Sequence, residues 1–125
     1  MRKIRITCGQ VCQSASLNDT ETARLVWDAL PFDTAGSRWG DEIYFSIPVD
    51  TGTERGQPTV QAGDLAYWEP GSAFCLFWGP TPMSRGDEIR PANPVTVFGK
   101  LDGDPMEFDE FRSGTRVQVE RIEEA

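Results

Sequence analysis

Apolar residues along this chain come mostly in short runs broken by Gly, Pro, Asp or Asn, and one stretch stands apart by its helical spacing. In "DTETARLVWDAL" (19–30), Ala23, Val26, Trp27 and Leu30 fall at i, i+3, i+4 and i+7 on a single stripe. Asn18 with Glu21 three residues on reads as a capping box, and Pro31 as the stop. The spacing therefore predicts one main helix over 19–30, lying on a sheet. A second, short helical segment is expected at "MEFDEF" (106–111), between Pro105 and Gly114.

The remainder reads as strands: "KIRITC" (3–8), "VCQSASL" (11–17), "EIYFSIPV" (42–49), "GDLAYW" (63–68), "AFCLFW" (73–78), "PVTVFGKL" (94–101) and "TRVQVERI" (115–122). The last alternates, with Val117 and Val119 inward and Arg116, Gln118 and Glu120 outward. The stretch "AFCLFW" does not alternate at all, which is the pattern of a strand buried on both faces. Phe74, Leu76 and Trp78 would share one face; Ala73, Cys75 and Phe77 would share the other. Short strands with one good helix imply a mainly β fold, a barrel or curled sheet capped by a helix, and a single domain over 1–125. The Gly-rich polar loop at 50–58 is the expected mobile segment.

Charge and residue usage narrow the chemistry. Twelve basic against twenty acidic residues give a net charge of −8, which repels phosphate backbones, so no nucleic-acid partner is expected. No run has membrane-spanning length and the start lacks an apolar leader core, so a cytoplasmic protein with no membrane partner is expected. There is no His, which removes the commonest general base and the usual nitrogen ligand; no metal or cofactor is indicated. Three Cys are expected as free thiols. Whether Cys8 and Cys12 can meet depends on the loop between them. A two-residue turn at Gly9 and Gln10 sets them on opposite sides, whereas a three-residue loop sets them face to face.

Several stretches bring the chain close to a known family. "GDLAYW", "GSAFCLFWG" and, some fifteen residues later, "PVTVFGKLDGDPMEFDEF" resemble the C-terminal half of cyclophilins, with "VFGK" (97–100) the sharpest part. Together with "WGDEIYFSIPV", "FWGPTPMS" and "IRPANPVTVFGKL" they look still more like a small cyclophilin-like family of bacterial and archaeal proteins that mostly lack an assigned function. The resemblance spans about 36–102 and implies a cyclophilin-like β-barrel with a surface groove.

Residue by residue, the same resemblance strips out the isomerase machinery. The cyclophilin groove Gln falls on Ala73, a groove aromatic on Cys75 and the groove His on Val95. The strand that should carry the Arg, "EIYFSIPV", has none, and Arg38 lies a few residues upstream. Efficient prolyl isomerase activity is not expected.

What remains is an apolar groove. Trp68, Phe77 and Met83 are candidate walls, with "GPTPMS" turning over the edge through Ser84. Glu42 and Tyr44 alternate onto one face beside Trp39, where a carboxylate and a phenol would orient a ligand amine or amide. The site residues expected are thus Trp39, Glu42, Tyr44, Trp68, Ala73, Cys75, Phe77, Met83, Ser84 and Val95. Three functions stay open. One is a module binding a small organic or short peptide ligand. A second is an enzyme, either an isomerase with an altered groove or a carboxylate catalyst pairing Glu42 with Arg38. The third is a homo-oligomer that covers the same patch.

Overall fold

A computed structural model describes residues 2–123. The elements are β1 (Lys3–Cys8), β2 (Val11–Leu17), α1 (Glu21–Ala29), β3 (Phe32–Ala35), β4 (Ser37–Arg38), β5 (Glu42–Ser46), β6 (Asp64–Trp68), β7 (Ala73–Phe77), β8 (Thr96–Leu101) and β9 (Arg116–Ile122). Two 3-10 segments, Glu69–Gly71 and Pro105–Glu110, join them. The second is the short helical segment expected at 106–111, shifted by one residue and wound as a 3-10 helix. Among the described residues no helix is long and apolar enough to cross a membrane.

Local chemistry accounts for the element ends. Gly9, at φ 58, and Gln10 form the two-residue turn, so Cys8 stands opposite Val11. Cys8 is buried and Cys12 exposed, and all three thiols are free. Burial pushes the Cys8 thiol up to about 12. Helix α1 is shorter than 19–30 because its N-cap is Thr20, whose hydroxyl accepts from Ala23 N at 3.0 Å. Asn18 lies a step outside and accepts from the Thr20 amide and hydroxyl, and Glu21 pairs with Arg24 instead of closing a capping box. The stripe packs as expected: Ala23, Val26 and Leu30 are buried and Trp27 half-buried against the core.

The strands form one nine-stranded sheet in the order β3-β9-β1-β2-β8-β6-β7-β5-β4. Its two edge strands are consecutive in the chain, so the polypeptide itself closes the barrel where it passes through Gly36. There Gly36 N donates to Thr115 O at 3.0 Å and Gly114 N donates to Gly36 O at 2.9 Å. A Cβ on Gly36 would sit 2.9 Å from Val117 Cγ2, 3.0 Å from Phe111 Cζ and 3.3 Å from Ile43 Cγ2. Only glycine lets the seam between β9 and β5 close at this distance.

The sheet has apolar residues on both faces around β7. Inside the barrel Phe74 stacks on Phe45 with ring centroids 4.8 Å apart and meets Phe98 edge-on at 5.1 Å; Leu76 and Trp78 belong to the same cluster. Outside, Ala73, Cys75 and Phe77 pack with Val60, Ala66, Ile89 and Val95 as a second cluster. The long connection from β7 to β8 supplies part of that cover, Ile89 bridging to Val60. The 50–58 loop, expected to be mobile, is tied at several points. Glu54 Oε1 accepts from the Thr22 amide and hydroxyl, Glu54 N donates to Thr96 Oγ1, and Gln57 bridges to Val95.

The seam gives the first prediction. Gly36→Ala should lower unfolding free energy by about 1–3 kcal/mol through overpacking against a β-branched and an aromatic side chain, measured by urea denaturation. An unchanged midpoint would mean that the seam is loose.

Candidate functional site

Pairing across the sheet assembles the site. Gly40, at φ 61, and Asp41 make a two-residue turn between β4 and β5, closed by Trp39 N donating to Glu42 O at 2.9 Å. Trp39 therefore stands opposite Glu42. The register then places Glu42 beside Phe77 and Tyr44 beside Cys75, with Cys75 beside Ala66 and Ala73 beside Trp68. Since side chains alternate along each strand, all these residues share the outer face.

On that face a cavity of about 290 Å³ is lined by Trp39, Glu42, Tyr44, Trp68, Cys75, Pro91, Ala92 and Val95. The Trp68 ring is fixed from two sides. Its Nε1 donates to Asn93 Oδ1 at 3.0 Å, and its six-membered ring lies so close to Gly71 that a Cβ there would come within 2.6 Å.

Glu42 is the polar feature that defines the cavity. The residue is 5% exposed, and its Oε1 is buried with no hydrogen-bond partner. An unpartnered carboxylate oxygen in an apolar surround strongly disfavours the charged form. Burial accordingly raises the Glu42 pKa to about 7, opposed in part by weak hydrogen bonding from the Cys75 thiol to the carboxyl. Cys75 is itself pushed well above the usual thiol range, by burial first and by the Glu42 charge second, so it stays a neutral thiol.

The remaining expected residues divide between support and surroundings. Ala73 and Phe77 are buried in the outer cluster but do not line the cavity. Met83, 50% exposed, and Ser84 lie outside the lining, because Ser84 Oγ is taken up in its own turn, accepting from Thr81 N and Arg90 N. Pro91 and Ala92 take their place. "RPAN" carries no period that reveals such a contact, which depends on where the long connection lands.

Arg38 is not a partner for Glu42. It pairs with Ile43, one residue out of phase, and its guanidinium turns the other way to lie 5.0 Å from the Trp78 ring centroid. There it donates to the carbonyls of Gly40, Asp109 and Phe111 and to Asp41 Oδ1. Among the described residues no group of three or more His, Cys, Asp or Glu is placed to hold a metal ion.

The buried carboxyl makes stability depend on pH. The folded state binds the Glu42 proton more tightly than the unfolded chain, whose value is the ordinary 4.5. Its contribution is therefore fully present below 4.5 and lost as pH rises through about 7. Glu42→Gln, which mimics the neutral acid, should match the wild type in acid and exceed it by up to about 3 kcal/mol above neutrality. Denaturation curves across this range check it; a difference independent of pH would contradict a titrating Glu42.

The family model described as Cyclophilin-like matches residues 2–120. Among solved structures the chain is similar to the solution structure of the hypothetical protein AF2241 from Archaeoglobus fulgidus, at 38% identity and a TM-score of 0.80, covering 97% of this chain and 95% of that one. No curated protein matches it. The match over nearly the whole described length, on a barrel of this topology, makes the chain a member of the Cyclophilin-like family.

Proposed function

We propose that this protein is a small-ligand-binding module whose site is the cavity beneath Trp39 and Trp68. The observation that carries the reading is the unpartnered Glu42 oxygen inside an otherwise apolar cavity. A buried acceptor without a donor lowers stability. A ligand with a donor and an apolar body would relieve that cost. The volume of about 290 Å³ lies at the lower end for small-molecule sites and is too small for a folded partner.

Prolyl isomerisation draws no support from the geometry. The positions answering to the cyclophilin Gln and His are Ala73 and Val95, both buried and apolar, and Arg38 is held away from the cavity. Without a cation near the proline nitrogen, shape and desolvation alone would have to lower a barrier of about 18–20 kcal/mol. Concavity also supports a small occupant over a second subunit, since among the described residues the large apolar side chains that stand out from the surface are Met83 and Met106, neither of them in the lining.

A titration of labelled protein with small aryl and alkyl fragments, followed by amide and indole NMR signals, tests this. Shifts should concentrate on Tyr44, Trp68 and Val95, and Trp68→Ala should remove them while costing less than the roughly 3–5 kcal/mol of a core Trp. An Ala-Pro peptide in the same tubes should show unaccelerated cis-trans exchange. Fragments that leave these signals unmoved, or faster peptide exchange, would overturn the reading.

A further inference from the structure

The cavity's chemistry selects among ligands more narrowly than its size does. The geometry points to a small organic ammonium ion as the ligand, with an N–H donating to the Glu42 carboxylate and an apolar body among Trp39, Tyr44 and Trp68. This rests on the cavity being a ligand site and adds the ligand's charge.

Three observations converge on a cation. First, the buried Glu42 Oε1 accepts no hydrogen bond, and an ammonium N–H is the donor that also neutralises the carboxylate. Second, the cavity has three aromatic residues on its lining, and aromatic rings favour cations over neutral groups of similar shape. Third, the protein supplies no positive charge of its own there. Arg38, on the strand beside Glu42, is engaged by Asp41 and Asp109, and Arg90, on the connection that covers the face, is engaged by Glu88. An anionic ligand would meet a carboxylate with no counter-charge, in a chain of net charge −8 that attracts cations.

Binding should also be linked to protons. Besides Glu42, the titratable side chains on the lining are Tyr44 and Cys75, and the nearby charges Arg38, Asp41, Glu88 and Arg90 are paired with one another as above. Below about 7 the empty site holds Glu42 as the acid. Seating an ammonium ion there forms the carboxylate and releases that one proton to the buffer. Affinity should then rise with pH up to the Glu42 midpoint, by up to about tenfold per unit.

Calorimetric and NMR titrations with benzylamine, benzyl alcohol and benzoate test the charge separately from the cavity. Benzylamine, as its ammonium ion, should bind at least about tenfold tighter than benzyl alcohol, the gain of a charge-assisted hydrogen bond. Benzoate should be the weakest. Glu42→Gln, its fold checked by the amide spectrum, should erase the difference between benzylamine and the alcohol. Proton release at pH 6, read from buffers of different ionisation enthalpy, should vanish in the same variant. Equal binding of amine and alcohol would overturn the cation assignment and leave the ligand site standing. Benzoate binding as tightly as the amine would overturn it by making Glu42 a neutral donor. No binding by any of the three would remove both the cation and the cavity's role as a ligand site.

Discussion

Strand β7 is buried on both faces, and the rest of the molecule is arranged around that demand. Its inner side chains, Phe74 and Leu76, need a closed barrel, which the chain completes by passing through Gly36. Its outer side chains, Cys75 and Phe77, need a cover that the sheet cannot provide. The connection from β7 to β8 supplies it, but incompletely, and the gap left between that connection and the hairpin of β4 and β5 is the cavity. The site is thus a consequence of how the outer face is covered, with aromatic residues placed where the cover ends.

Much of this was legible along the chain because it depends on period two and on short turns. The lack of alternation in "AFCLFW" marks the doubly buried strand, and both of its faces are the ones expected. Glu42, Tyr44 and Trp39 fall together because Gly40 and Asp41 form a two-residue turn, so that counting outward from the turn fixes which residues share a face. What stayed hidden has a common physical cause. Strands β3 and β4 are four and two residues long, and of their side chains only Phe32 is buried, so no apolar pattern announces them. Pro91 and Ala92 reach the cavity through a long connection whose path is set by tertiary packing. Thr20 displaces Asn18 as the helix cap because Asn18 is drawn into hydrogen bonds with Thr20 and with the β8 carbonyl of Val97.

Family membership supplies a frame, and the side chains set in it differ from those the cyclophilin resemblance would place there. Ala73 and Val95 stand where the cyclophilin resemblance puts a Gln and a His, and Arg38 lies against the Trp78 ring, away from the cavity. Where the cyclophilin resemblance would put polar groups, the cavity lining carries one carboxyl, Glu42, on a mostly apolar wall. Its environment, lacking any positive partner, makes the charged form costly and raises the Glu42 pKa.

The measurement that bears most directly on this account is a pH titration of the Glu42 side-chain carboxyl carbon by NMR in the ligand-free protein. The account predicts a midpoint near 7, well above the ordinary 4.5. A midpoint close to 4.5 would mean that water or a protein donor already satisfies the carboxylate, and the cavity would lose the feature that makes it a site.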